Sequence, residues 1–396
     1  FLEFFIWGAW FVTLGTFLGT NLKASGAETA AVFSTQSWGA IIAPFIIGLI
    51  ADRYFNAERI LGVLHLVGAF LMYQMYQSSD LSSFYIYVFS YMVLYMPTLA
   101  LVNSVAFNQM KDPEKEFSSI RVWGTIGWIV AGLSISYVFH WDSVESLASG
   151  MLKNTFLLAG IAALVLGLLS FTLPATPPKV SDEKIKIGDI IGLDALKLLK
   201  DKNFAVFFIS SILICIPLAF YYQNANPFLT ESGLENPTGK MAIGQISEAL
   251  FLLLIPVFFT KYGFKKTILV GMLAWAIRYA LFAYGNGGEL SFMLIIGIAL
   301  HGICYDFFFV SGQIYTNSKA GDKYKSAAQG LITLATYGVG MLIGFAVAGW
   351  ITDNYKTATG TINWEMVWII PAGIALAVFV LFALTFNDKN KTEVSH

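Results

Sequence analysis

Apolar residues in this chain come in long unbroken runs separated by short polar or charged breaks, without the strict alternation of a half-buried strand. A run of about 18 or more mostly apolar residues, rising about 1.5 Å per residue as a helix, is long enough to cross the hydrocarbon core of a bilayer. A membrane β-barrel would instead show alternating segments of about ten residues. The pattern therefore predicts spanning helices, and twelve are expected: Phe1–Gly19, Thr29–Ala51, Arg59–Gln77, Leu81–Phe107, Ser119–Phe139, Asn154–Leu173, Phe204–Asn226, Met241–Thr260, Thr267–Gly285, Leu290–Ile314, Ser326–Thr352 and Trp364–Phe386.

The longest polar break, 174–203, opens with Pro174 and continues through Pro177 and Pro178, which stop a helix. It carries mixed charges and a short amphipathic piece, Asp189–Leu199. It divides the chain into an N-terminal six-helix bundle over 1–173 and a C-terminal six-helix bundle with a short tail over 204–396. A weak repeat agrees with this division. Short basic loops, Gly48–Phe55 and Lys261–Lys266, follow the second span of each half, and repeated halves are a common transporter architecture.

Composition narrows the class. Hydrophobic residues make up 57% of the chain and charged residues 12%, against about 25% charged in a soluble domain. A net charge of −1 argues against nucleic acid as a partner. Cys215 and Cys304 both fall in apolar runs and read as buried thiols; no C-x-x-C or His-Glu metal motif occurs. No Ser/His/Asp constellation points to an enzyme. The first apolar run lacks a basic n-region and an A-x-A site, so it reads as a spanning helix.

Lysine and arginine predict the orientation. With a cytoplasmic N-terminus, eighteen fall on the cytoplasmic side and four (Lys23, Lys153, Lys240 and Lys356) on the other. Both termini are then cytoplasmic, in a multi-pass protein of the cell inner membrane.

An ionisable group within a span costs about 2.5–3.5 kcal/mol on insertion scales and is usually functional. Arg121 in the fifth span, Glu248 in the eighth, Arg278 in the ninth and Asp306 in the tenth are such groups, joined by His65 and His301. Arg121, Thr125 and Trp128 share one helix face at i, i+4, i+7. They offer a cation, a hydroxyl and an aromatic plane; the competing reading is an arginine that snorkels to the interface. Gln245 and Glu248, at i, i+3, set an amide beside a carboxylate that can bind hydroxyls or a heterocycle edge, or else pair two helices. Asp306 is a proton carrier if its charge depends on a movable cation, and a structural partner of Arg278 otherwise. His301 is a candidate cavity residue, His65 a packing histidine, and Glu3 an interfacial acid. Gly124 with Gly127, and Gly340-x-x-x-Gly344, permit close helix contact.

Several strings occur in one order: Trp7-Gly8-Ala9-Trp10, Gly48-x-x-Ala51-Asp52-Arg53, Tyr95-Met96-Pro97-Thr98-Leu99, Arg121-Val122-Trp123-Gly124-Thr125-Ile126-Gly127, Gln245-Ile246-Ser247-Glu248, Arg278-Tyr279-Ala280-Leu281-Phe282-Ala283-Tyr284-Gly285, Asp306-Phe307-Phe308 and Ser326-Ala327-Ala328-Gln329-Gly330. Together they resemble the nucleoside:proton symporter family of the major facilitator superfamily, almost end to end. The Asp52-Arg53 loop is general to the superfamily; the others are more specific.

The resemblance implies an all-α membrane fold of two six-helix bundles, a central cavity, alternating access and proton-driven nucleoside import. It implies Arg121, Thr125, Gln245 and Glu248 at the nucleoside site, with Trp128 in place of a family phenylalanine as the stacking aromatic. Asp306 is the implied proton-linked carboxylate, with Glu248 and Arg121 in the coupling; Asp52, Arg53 and Arg278 are gating or structural residues. Two departures stand out: Ala219 and Tyr222 at the seventh-span positions where the family has amides, and His301 where it has a tyrosine. Tyr222 and His301 are therefore expected to line a modified site. No cofactor or metal is expected besides the coupling proton, and a monomer is expected. The alternatives are a related carrier for a sugar or another polar solute and, in another class, a transporter-like receptor that moves nothing.

Overall fold

Lipid offers no hydrogen bonds, so each crossing segment must satisfy its own backbone groups, and the apolar runs all become helices. The computed structural model describes residues 1–47, 54–111, 113–178 and 193–387. In chain order the α-helices are α1 (Leu2–Trp10), α2 (Leu14–Thr20), α3 (Gly26–Ile46), α4 (Ala57–Gln77), α5 (Leu81–Gln109), α6 (Pro113–Leu133), α7 (Val144–Ala148), α8 (Asn154–Ser170), α9 (Lys202–Glu231), α10 (Pro237–Leu252), α11 (Ile255–Tyr284), α12 (Ser291–Ala299), α13 (His301–Tyr305), α14 (Ser311–Thr333), α15 (Met341–Asn354) and α16 (Trp364–Thr385). Among the described residues, nine helical stretches are long and apolar enough to cross a membrane.

Polar side chains mark the helix starts. Ser25 and Glu28 form a reciprocal capping box at α3, and Asp80 accepts the Ser83 N–H at 2.9 Å to start α5. Asp201 accepts the Phe204 N–H at 2.9 Å at the head of α9.

The expected spans are all helical where described, but their interiors are less regular than the hydropathy suggested. The first span breaks over 11–13 into α1 and α2. The fifth ends in a π-helical turn, Ser134–Val138, and the tenth contains another, Asp306–Val310. The eighth breaks after Leu252, and its last turns run into α11 until Gly263, at φ 75°, bends the chain. Gly321, at φ 61°, divides α14 in the same way. Both bends use the left-handed backbone that glycine adopts without strain. The seventh span runs to Glu231, five residues beyond the expected end. In the polar break, Leu193–Lys200 forms a 3-10 helix. Asp52 and Arg53 lie outside the described residues.

The chain packs as two units: Phe1–Lys186 with Tyr222–Glu231 and Glu235–Ala242, and Ile187–Tyr221 with Ser232–Leu234 and Ile243–His396. In the first, α4 packs on α5 and α8, and α1 on α6 and α8. Phe156 centres an aromatic core, 4.7 Å from Phe17 and 5.4 Å from Phe84. In the second, α11 packs along α16, with the Trp368 ring 5.3 Å from Tyr279. Large apolar side chains such as Leu384, Leu253 and Ile86 stay exposed, as lipid-facing residues do.

Candidate functional site

In the first unit, glycines let α1 and α6 approach closely. A Cβ at Gly127 would lie 2.3 Å from the Phe1 carbonyl oxygen, and one at Gly124 2.7 Å from the Phe4 ring. The other helix offers the same room, since a Cβ at Gly8 would lie 3.0 Å from the Trp128 ring. Trp128 therefore seats against α1, half-buried, 5.5 Å from Trp7 in an edge-to-face contact. Thr125 is half-buried beside it, and Arg121 is exposed with its guanidinium 4.7 Å above the Phe4 ring. Tyr222, also half-buried, meets Phe11 edge-on at 6.0 Å.

A chain of hydrogen bonds ties α2, α9, α10 and the π-turn after α6 together in the same unit. Thr16 donates to Asn226 Oδ1 at 2.6 Å, and Asn226 Nδ2 donates to the Thr238 hydroxyl at 3.1 Å. Asp142 accepts the Thr238 N–H at 3.1 Å, and Ser136 accepts the Gly239 N–H at 2.7 Å. A carboxylate and a hydroxyl from another segment thus satisfy the first free donors of α10, where the helix dipole favours negative charge.

Glu3 is not where the sequence put it, whereas His65 is the buried, satisfied histidine expected. Glu3 is 3% exposed and His65 2% exposed, and Glu3 Oε2 lies 2.8 Å from His65 Nε2. The Thr98 hydroxyl lies 2.5 Å from Glu3 Oε1, and Tyr95 donates to the Glu3 carbonyl at 2.7 Å. Glu3 is no interfacial acid, because the α4 and α5 faces that bury it supply its partners.

In the second unit, α10 touches α13 backbone to backbone. A Cβ at Gly302 would lie 2.5 Å from the Ser247 carbonyl carbon, and the Gly302 N–H donates to Ser247 Oγ at 2.9 Å. This contact sets Glu248 beside His301, Oε2 to Nε2 at 3.8 Å. On its other edge, His301 Nδ1 lies 3.0 Å from Arg278 Nη1. A guanidinium only donates, so Nδ1 must accept and the ring carries its proton on Nε2, the edge turned to Glu248. Arg278 is fully buried, its guanidinium stacked 3.6 Å over Tyr221, whose ring also stacks with His301 at 5.3 Å. Gln245 and Glu248 are both half-buried on one face of α10.

Asp306 is buried at the start of its π-turn, and its Oδ2 has no hydrogen-bond partner among the described residues. Arg278 and Asp306 form no ion pair; the arginine is committed to Tyr221 and His301. The fixed Asp–Arg pair weighed from the sequence is therefore not what this structure shows.

Ala219, expected at the site, packs against α15, where a Cβ at Gly344 would come within 2.6 Å of it. Sequence reasoning passed over Gln223. It is 1% exposed, and neither its amide oxygen nor its nitrogen finds a partner among the described residues. The signal was present in Tyr222-Gln223-Asn224-Ala225-Asn226, three amides in an otherwise apolar run. Among the described residues, no group of three or more His, Cys, Asp or Glu could hold a metal ion. Cys215 and Cys304 are buried free thiols.

Helices of this length, with buried carboxylates, imidazoles and an unpartnered amide inside them, define a polytopic membrane carrier. The same fold occurs in the POT family transporter PepTSo, at TM-score 0.73 and 16% identity over 97% of this chain and 95% of that one. The profile of the family described as Nucleoside H+ symporter matches residues 1–391, and the chain belongs to that family. The putative nucleoside transporter YegT of Escherichia coli (strain K12) is 42% identical over 399 residues, covering 98% of this chain and 92% of the relative. The nucleoside permease NupG of the same organism is 31% identical, over 98% and 94%. The crystal structure of nucleoside transporter NupG superposes with a TM-score of 0.86 at 30% identity, over 98% of this chain and 97% of that one.

Proposed function

We propose that this protein imports nucleosides together with protons by alternating access. The observation that carries the reading is the Arg278–His301–Glu248 chain of contacts beside the unpaired Asp306, in a chain of the nucleoside symporter family. Such groups are costly in a membrane unless they serve a solute or an ion. In this reading Trp128 and Tyr222 stack against the base, and Arg121, Thr125, Gln245, Glu248 and His301 bond the base edge and sugar hydroxyls. Gln223 adds an amide with both hydrogen-bonding ends open. Asp306 and Glu248 take the proton, and Arg121 competes with it for a carboxylate.

The same proposal includes twelve spans, six on each side of the 174–203 linker, with both termini cytoplasmic and a monomer in the inner membrane. Asp52 and Arg53 take the gating role implied by the superfamily loop.

Reconstituted into liposomes, the protein should accumulate radiolabelled uridine or adenosine faster under an inward proton gradient. Uptake indifferent to the gradient removes the coupling; competition by sugars but not by nucleosides removes the substrate class.

A further inference from the structure

We propose that Glu3 and His65 form a second proton-binding site, built wholly within the first unit and distinct from the carboxylates of the second. The inference rests on the symport reading above. Both side chains are almost completely buried, 2.8 Å apart, on helices that read as membrane-spanning. A buried ion pair contributes little net stability compared with a well-packed apolar pair, so packing alone is a poor reason to place one there.

The proton count is simple. With one exchangeable proton the pair is neutral overall, as carboxylate and imidazolium or as acid and imidazole. Without it the pair carries one net negative charge. A neutral pair is far cheaper to bury than a net charge, so closing this region around the pair retains the proton, and exposing it to water lets the proton leave.

The surroundings suit a site that loads and empties. Thr98 and Tyr95 hold Glu3 in place through its carboxylate and its carbonyl. The other charged or titratable groups near it are the Phe1 amine at the head of α1, Tyr91 and Tyr95 on α5, stacked 5.4 Å apart, and Arg121 on α6, whose guanidinium lies over the neighbouring Phe4 ring. Helix α8 brings no acid or base, and the acid of α3 is Glu28 in its first turn. Among the described residues no lysine or arginine side chain pairs with Glu3 or His65, in contrast to Arg278 at His301. Glu3 also sits one helical turn from Trp7, which touches both Tyr95 and Trp128.

Static-head accumulation of radiolabelled uridine in proteoliposomes, with the membrane potential clamped at zero, reads the proton count. A tenfold proton gradient sustains about a hundredfold accumulation with two protons per nucleoside and about tenfold with one. The wild type is expected to show the two-proton dependence, and Glu3→Gln and His65→Gln the one-proton dependence. Both variants should keep equilibrium exchange, which needs a folded carrier but no net proton flux. A one-proton wild type, or a Glu3→Gln variant that still moves two, overturns the second site. If neither single variant exchanges, the swapped pair Glu3→His with His65→Glu decides. Two protons support the site, and one proton or no transport overturns it. A wild type that exchanges uridine without gradient-driven accumulation sinks the symport reading itself, and the second site with it.

Discussion

Two histidines, one in each unit, sit within reach of a glutamate, and they are held in opposite ways. His65 meets Glu3 at 2.8 Å with no cation on its far edge among the described residues. His301 meets Glu248 at 3.8 Å, and Arg278 occupies its other nitrogen at 3.0 Å. The guanidinium never loses its proton, so it fixes the His301 tautomer and turns that ring into a dedicated donor. His65 meets only the Glu3 carboxylate, the pair proposed above as a proton site. In the proposals above, the same two residue types serve as a reader of ligand acceptors in one place and as a proton store in the other. What separates them is one buried arginine.

The largest effect expected from breaking this contrast is at Glu248. Glu248→Gln keeps the size and one acceptor oxygen but removes the charge that faces His301, and it should abolish concentrative uridine uptake. Wild-type accumulation by this variant refutes the carboxylate's role. Next comes Arg278→Met, which frees His301 Nδ1 and removes the stack on Tyr221. Loss of a charged hydrogen bond should raise the uridine KM about 10- to 100-fold, and Arg278→Lys should recover little because a lysine cannot stack as a plane. An unchanged KM in both variants means that the tautomer is irrelevant to recognition.

Gly302→Ala tests the backbone contact that brings the two acceptor-facing groups together. The new methyl has no room at 2.5 Å from Ser247, and forced overpacking should cost about 1–3 kcal/mol, read as a lower unfolding temperature in detergent. The smallest effect belongs to the other histidine. Thr98→Val removes one hydrogen bond to Glu3 and should cost about 1 kcal/mol, with the two-proton accumulation retained. A loss of the second proton in this variant places Thr98 in the proton path instead of beside it.

Much of the molecule was legible in the chain because lipid makes the rule strict. A segment that cannot bond to its solvent must be apolar and helical, so the expected spans all appear as helices where described. The Arg121, Thr125, Trp128 face follows from helical periodicity alone, and the glycine spacing correctly marked close contacts for Gly124, Gly127, Gly340 and Gly344. Gln245 and Glu248 share a face of α10 for the same reason.

The partnerships were not legible. Glu3 and His65 are 62 residues apart and Arg278 and His301 are 23 apart, and nothing local in either segment names the other. Hydropathy is equally blind to the break in the first span and to the π-turn at Asp306, because both leave the residues apolar and nearly helical. The sequence by itself determined that the chain is helical and apolar enough to span a bilayer and which ionisable groups lie within its apolar runs, since the solvent imposes both residue by residue. Only the tertiary structure decided which charge faces which, because burial and distance are set by helices meeting across long separations in the chain, and those contacts separate an imidazole held by an arginine from one held by a carboxylate alone.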